Sequence, residues 1–302
     1  MKYRITHKTA YLYEEPASLC YNEARLTPRS FSQPLFKQTC LSRHVSIEPG
    51  YSDYRERTDF FGNHILYFTI PQPHEAMTIT GLSEVVVEAT PSADRLSPEA
   101  SPPWEHVRDR LKSDLTPEAL EARQFMLASP LIPSLAKLTA LAAPSFTAGR
   151  PILEASHDLM RRIYEKFEFV AGVTNIATPL AEVLRERQGV CQDFSHLMVG
   201  SLRAQGLAAR YVSGYIETLP PPGQEKLVGA DASHAWCALY VPERGWFDFD
   251  PTNSLIPSEQ YITIGWGRDF ADVTPLKGVF FSHGEHKLQV SVDVTRVGTG
   301  NL

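Results

Sequence analysis

Residues 2–90 alternate between polar and apolar positions in a way that predicts β-strands. Residues 3–7 form one such run, and Leu41, Val45 and Ile47 share one parity in another. Residues 59–68 place a Gly-Asn pair between two apolar stretches, which is typical of a hairpin. Because no helical period occurs here, the pattern predicts an antiparallel β-sandwich-like domain over residues 1–90.

The pattern changes after residue 90. Residues 91–103 contain four prolines and few apolar positions, which is typical of a linker. Helical spacing follows, with Thr116 as a cap before Pro117 and a longer amphipathic segment over 151–166. We therefore predict a linker with helices over 91–150, and a second domain over 151–302 that includes the C-terminal strands.

The second domain begins its most regular part at Cys191. Residues 191–205 show the apolar spacing of a helix that Gly206 ends. Three strand patterns follow at Ala209–Ile216, Ser233–Val241 and 246–250. A helix leading into an antiparallel sheet predicts an α+β domain, so the whole chain is assigned to the α+β class.

Composition excludes several functions. The 302 residues are 43% hydrophobic and 21% charged, which is typical of a globular protein. The net charge of -6 and the absence of a basic run argue against nucleic acid or an anionic membrane as partner. No apolar run approaches the ~18 residues of a membrane span. Neither a signal peptide nor a disulfide framework is indicated, so we expect a cytoplasmic protein of undetermined oligomeric state.

Cys191 is the cysteine with the strongest indication of chemistry. It follows Gly189-Val190 at the predicted start of a helix, where the helix dipole and free N–H groups stabilise an anion. A thiolate is favoured at such a position and is the reactive form of cysteine. A buried structural cysteine is the alternative. The other three cysteines, Cys20, Cys40 and Cys237, are interpreted as packing residues.

A base and a carboxylate are predicted on neighbouring strands of the second domain. Strand alternation places His234 and Trp236 on one face and Cys237 on the other. Asp248 and Asp250 share a face of the next strand, so either carboxylate could lie beside His234. A cysteine nucleophile, a histidine base and an orienting carboxylate form a catalytic triad.

Two other interpretations use the same residues. Cys191, His196, His234 and Cys237 are ligand types found in zinc sites, but Cys191 and His196 lie about 140° apart on a helix. Their spacing is also not that of a zinc finger, so no metal or other cofactor is expected. A non-catalytic protein-interaction module on the same fold is the second alternative.

Several segments together resemble the bacterial transglutaminase-like proteins. The matching segments are residues 189–196, 209–215 and 234–236, residues 246–253 with their Asp-Pro-Thr-Asn ending, and residues 267–273. The opening strands through residues 22–28 resemble the β region that accompanies that core. The resemblance covers nearly the whole chain and is weakest over residues 91–150.

The resemblance implies papain-like cysteine chemistry. Cys191 would be the nucleophile, His234 the general base and then acid, and Asp250 rather than Asp248 the orienting carboxylate. Attack on an amide of a protein or peptide substrate would give a thioester, released by water or by an amine. Hydrolysis is favoured over transamidation, because transamidation needs a site that excludes water. The calcium dependence of the animal transglutaminases is not carried over, since the sequence has no calcium-loop pattern.

The remaining candidate residues have supporting roles. The Cys191 backbone N–H would stabilise the oxyanion, and Gln188 and Asn175 are candidates for the second donor. Trp236 and Trp246 could wall a substrate cleft. Asp193 is interpreted as a helix cap, Arg268 and Asp269 as a structural ion pair or turn, and residues 220–223 as a lip over the cleft or only a loop.

Overall fold

The computed structural model describes residues 1–90, 97–218 and 233–298. Part of the predicted linker, residues 91–96, and the predicted lip at residues 220–223 lie outside the described residues. The described chain contains α-helices and mainly antiparallel sheets, with a β region at the N-terminus and a mixed core after it. The predicted α+β class is confirmed.

Seven strands form the N-terminal β region, as the alternating pattern predicts. They are β1 (Lys2–Ala17), β2 (Cys20–Ala24), β3 (Phe31–Ser32), β4 (Phe36–Glu48), β5 (Ser52–Thr58), β6 (His64–Ile70) and β7 (His74–Ala89). Two antiparallel sheets enclose an apolar layer that includes Tyr13, Phe68 and Met77. The hairpin prediction is confirmed for β5 and β6, although residues 59–61 belong to its turn because Asp59 accepts hydrogen bonds from Phe61 and Asn63.

The last two strands complete these N-terminal sheets. In the structure β14 (Leu276–Phe280) pairs with β2, and β15 (His286–Arg296) pairs with β1. The sequence interpretation had grouped them with the 151–302 domain. The physical reason for the difference is burial, because Val292 and Val294 pack against Tyr3 and Ile5. The division of the chain at residues 90 and 150 stays a prediction.

Seven α-helices are described. They are α1 (Trp104–Ser113), α2 (Pro117–Arg123), α3 (Ala136–Ala142), α4 (Ile152–Lys166), α5 (Leu180–Glu186), α6 (Cys191–Ala204) and α7 (Phe270–Val273), with short 3-10 turns at Pro98–Ala100 and Gln124–Met126. Thr116 caps α2 by accepting a hydrogen bond from Ala119 N–H, as predicted. Helix α6 is almost wholly buried and lies at the centre of the core.

The core sheet has the strand order β12, β11, β10, β13. These strands are β10 (Ala209–Ile216), β11 (Ser233–Val241), β12 (Gly245–Phe249) and β13 (Tyr261–Gly267); β8 (Glu168–Phe169) and β9 (Gln188–Gly189) form a separate parallel pair. The β region covers the edge strand β13. The side-chain amide of Gln38 hydrogen-bonds the backbone N–H and C=O of Thr263, and the side-chain amide of Asn63 hydrogen-bonds the backbone N–H and C=O of Trp266. The two parts are therefore held together by a hydrogen-bonded sheet edge.

Candidate active site

Cys191 is the first residue of α6, as the helical pattern predicts. The preceding residue, Val190, has no polar side-chain atom and cannot cap the first turn. The backbone N–H groups of Cys191 and Gln192 therefore receive no side-chain cap from Val190, and they point out of the N-terminal end of the helix. Cys191 is half-buried and packs against a small apolar cluster of Tyr211, Ala235 and Val273. The sulfur thus lies where backbone dipoles favour a negative charge.

Asp193 fixes the approach of the chain to α6. Its carboxylate accepts hydrogen bonds from Val190 N–H at 2.8 Å and from the Thr174 hydroxyl at 2.6 Å. A Cβ on Gly189 would lie 2.8 Å from the Asp193 Cβ, so only glycine fits there. These contacts are those of a capping residue, which is how the sequence was interpreted.

His234 lies between Cys191 and Asp250. Its Nε2 is 2.8 Å from Asp250 Oδ2, and its ring lies close enough to Cys191 for that side chain to raise its pKa. Burial by itself would lower the pKa of His234, but the hydrogen bonds and charges of Asp250 and Cys191 outweigh burial and raise it to about 10. These interactions favour the protonated imidazole in the folded protein. The structure brings together the three residues that the sequence singled out.

Asp250 is held by groups from three parts of the chain. Thr252 N–H donates to Oδ1 at 2.9 Å, while the Asn253 amide and the Tyr261 hydroxyl donate to Oδ2 at 2.7 and 2.8 Å. Burial would raise the pKa of this carboxyl, but the hydrogen bonds from His234, Asn253 and Tyr261 lower it. The carboxylate is thus kept ionised and fixed toward the histidine.

Asp248 faces a different environment. Its Oδ2 accepts a hydrogen bond from Trp236 Nε1 at 3.2 Å, and the nearby cation is Arg210, which is stacked between Trp246 and Trp266. Burial raises the pKa of Asp248 to about 6, against the opposing effect of Arg210. Of the two candidate carboxylates, only Asp250 contacts His234.

The two tryptophans differ in burial. Trp236 is 0% exposed and supports the His234 and Tyr261 rings from inside the core. Trp246 packs against Phe125 and Tyr240 as well as Arg210. Trp236 therefore cannot wall an open cleft, whereas the half-buried Trp246 lines a groove with Tyr240 and Arg110, and its role as a cleft wall stays a prediction.

The two candidate oxyanion donors have partners elsewhere. The Gln188 amide donates to Glu168 at 3.1 Å on the protein surface. Asn175 is exposed, and its Oδ1 accepts from Ala177 N–H in its own turn. In the described contacts neither side chain is directed to Cys191. The uncapped N–H groups of the first turn of α6 are the donors that the structure places there.

Three supporting residues have little or no sequence signal. Tyr261 comes from β13 and donates to Asp250. Tyr211 comes from β10, and burial raises the pKa of its hydroxyl well above the usual value, with a smaller contribution from nearby Cys191 and Asp193. Neither could be identified from strand alternation. Asn253 is the last residue of the Asp-Pro-Thr-Asn segment, and its position three residues after Asp250 is the sequence feature that points to it.

The residues of the alternative zinc interpretation are separated in the core. His196 Nε2 accepts from Phe270 N–H, and burial lowers the pKa of this histidine to about 4. Cys237 is fully buried, which raises the pKa of its thiol. Within the ranges described above, no cluster of three or more His, Cys, Asp or Glu side chains is arranged to hold a metal ion.

Arg268 pairs with Asp272, whereas Asp269 caps α7.

Comparison with known proteins identifies two family regions. Residues 3–86 match the bacterial transglutaminase-like N-terminal region, and residues 139–251 match the transglutaminase-like superfamily. The described helices are all too short or too polar to span a lipid bilayer.

Three similar proteins illustrate the range of relatives. An uncharacterized Mycobacterium tuberculosis protein is 40% identical over 97% of this chain and 92% of its own length. A Pseudomonas aeruginosa protein-glutamine gamma-glutamyltransferase is 40% identical over 24% of this chain, which is 11% of that protein. A Cytophaga hutchinsonii structure described as a candidate cysteine protease has a TM-score of 0.74 at 21% identity, covering 99% of this chain and 92% of that one. The last similarity is one of fold.

Proposed function

Because the chain belongs to the bacterial transglutaminase-like proteins, we propose that it catalyses acyl transfer from an amide of a protein or peptide through a thioester on Cys191. The observation that carries the proposal is the position of His234, which hydrogen-bonds Asp250 and lies near Cys191 at the start of α6. A protonated imidazole beside the sulfur stabilises the thiolate by its charge. The α6 N-terminus adds to this stabilisation.

Each step follows from the positions of these groups. The Cys191 thiolate attacks the amide carbonyl carbon, forming a C–S bond, and the oxyanion is stabilised by N–H groups of the first α6 turn. The C–N bond then breaks while His234 gives its proton to the leaving amine, which leaves a thioester. Neutral His234 next takes a proton from the acyl acceptor as the acceptor attacks. The C–S bond breaks, and Cys191 and the protonated His234 are restored.

Water is proposed as the main acyl acceptor, which makes the reaction a hydrolysis. The half-buried Cys191 is open to solvent on one side, so a thioester there meets water. Excluding water would require a closed site. The test is to incubate the protein with a peptide library, with and without a primary amine, and to weigh the products. If amine adducts dominate, hydrolysis is overturned as the main reaction, and the proposed thioester intermediate is retained.

Transamidation is the second candidate. The observation in its favour is the local similarity to the protein named a protein-glutamine gamma-glutamyltransferase, which is limited to 24% of this chain. In the product analysis this candidate predicts a mass gain equal to the amine minus ammonia. Hydrolysis of the same glutamine predicts a gain of about 1 Da.

Selective alkylation provides the first testable expectation and separates an enzyme from an interaction module. We expect iodoacetamide at pH 7 to modify Cys191 before the other cysteines, and the His234→Ala variant to lose about tenfold or more of that rate. Cys40 is the internal control, because it is also half-buried but has no histidine partner among the described contacts; burial raises its pKa. Equal, slow labelling of both thiols, read by peptide mass spectrometry, would support the module.

A further inference from the structure

An open groove lies between the β region and the core. It has a volume of about 430 Å³, within the ~300–1,000 Å³ usual for ligand sites. On the core side it is lined by the exposed Ile176 and by Phe270, which packs, like Cys191, against the small apolar cluster of Tyr211, Ala235 and Val273. Ile176 belongs to the loop in which Thr174 binds Asp193 on the first turn of α6. Both core-side residues therefore connect the groove to the surroundings of Cys191.

The opposite wall is aromatic and comes from both ends of the chain. Tyr11 and Tyr13 of β1 stack at 6.2 Å, and Phe280 and His286 close the group, with the Tyr11–His286 and Tyr13–Phe280 ring centroids 5.6 and 5.0 Å apart. This wall exists only because β14 and β15 return to the N-terminal sheets. Such a row of rings favours a flat apolar side chain.

The polar groups in the groove restrict its occupant further. Asn22 is 8% exposed, and its Nδ2 has no hydrogen-bond partner among the described residues, which is a costly arrangement in an apolar layer. A Cβ on Gly278 would lie 2.4 Å from Asn22 Oδ1, so a glycine leaves room for this amide. The lining residues include Lys277 but no Asp or Glu. A basic occupant is therefore disfavoured.

We propose that this groove binds the peptide segment next to the reacting amide and selects an aromatic side chain there, with Asn22 available to a peptide carbonyl. This inference rests on the proposed function for the identity of the nucleophile. It assigns the N-terminal β region a direct role, because that region then forms one half of the substrate site.

The test measures binding separately from chemistry. A Cys191→Ala protein is titrated with acetyl-Phe-Gln-Phe amide, acetyl-Gly-Gln-Gly amide and acetyl-Lys-Gln-Lys amide by calorimetry. We expect the phenylalanine peptide to bind at least about tenfold more tightly than the other two, since one apolar group in a pocket gives a discrimination of roughly 10–200-fold. Adding Tyr11→Ala should remove that preference.

Tyr21→Ala is the matched control, because Tyr21 is 54% exposed and lies outside the groove lining. It should leave all three affinities unchanged. Asn22→Ala should weaken every peptide about equally while leaving the melting temperature unchanged or higher, a result that a purely structural asparagine would not give. Equal affinities for the three peptides, or equal losses in both tyrosine variants, would overturn the inference. Binding with this preference but no turnover by the wild type would instead overturn the proposed function.

Discussion

Asp248 and Asp250 lie two residues apart on one face, and their surroundings make them chemically different. Asp250 is surrounded by donors that stabilise its charge, so its pKa is lowered. Asp248 lies beside the indole of Trp236, and burial raises its pKa to about 6. The comparison teaches that the same residue type on the same strand face is a histidine partner in one place and a core polar group in the other, depending on hydrogen-bond donors from distant segments.

The largest expected effect comes from replacing each carboxylate by the isosteric amide. Asp250→Asn should lower kcat by about 10³–10⁴, because the amide no longer stabilises protonated His234. Asp248→Asn should change kcat by less than about threefold. It should instead lower the free energy of unfolding by about 1–3 kcal/mol, because it removes the negative charge beside buried Arg210. Steady-state kinetics and urea denaturation check the two arms. Similar kinetic losses in both variants would contradict the comparison.

The next prediction concerns how the free energy of unfolding depends on pH, where we expect a smaller effect than on kcat. His234 holds a proton in the folded state up to about pH 10, whereas in the unfolded chain it releases it near pH 6.5. Its contribution is thus fully present below pH 6.5, and the free energy of unfolding falls as pH rises from there through 10. His234→Gln should flatten this fall.

Urea titrations at several pH values in that window check the expectation, and the difference between wild type and variant removes the contributions of other groups. Asp248→Asn serves as the control, because the window for Asp248 lies between its ordinary pKa of 3.8 and about 6. There a raised carboxyl pKa makes stability fall as pH rises. A parallel pH slope for wild type and His234→Gln between pH 6.5 and 10 would show that His234 is not protonated in the folded protein.

The smallest expected effect concerns the tyrosine that supports Asp250. Tyr261→Phe removes one of several hydrogen bonds to that carboxylate, so kcat should fall by about three- to tenfold. Tyr215→Phe is the matched control, because its buried hydroxyl lies 2.7 Å from His7 in the β region instead. Kinetics and melting temperatures of both variants separate a positioning role from a loss of stability. Equal kinetic losses would remove Tyr261 from the catalytic surroundings.

Much of the candidate site could be predicted because its signals are local. The helical spacing after Cys191 located a helix start, and strand alternation placed His234 on the face opposite Cys237. The choice between Asp248 and Asp250 had no local signal, since both have the same parity, and it depended on the family resemblance. Tyr261 was missed because nothing in its own strand shows which carboxylate it contacts.

The sequence by itself determined the elements of this protein: the alternating strands, the buried helix and the glycine that admits Asp193, all of which follow from periods and turns of a few residues. Only the tertiary structure decided which distant segments meet. Strand β1 pairs with β15 at the far end of the chain, Gln38 and Asn63 cover the edge of β13, and Trp236 is fully buried in the core. Such pairings depend on the burial of complementary surfaces and on satisfying backbone groups across the whole fold, which no local pattern records.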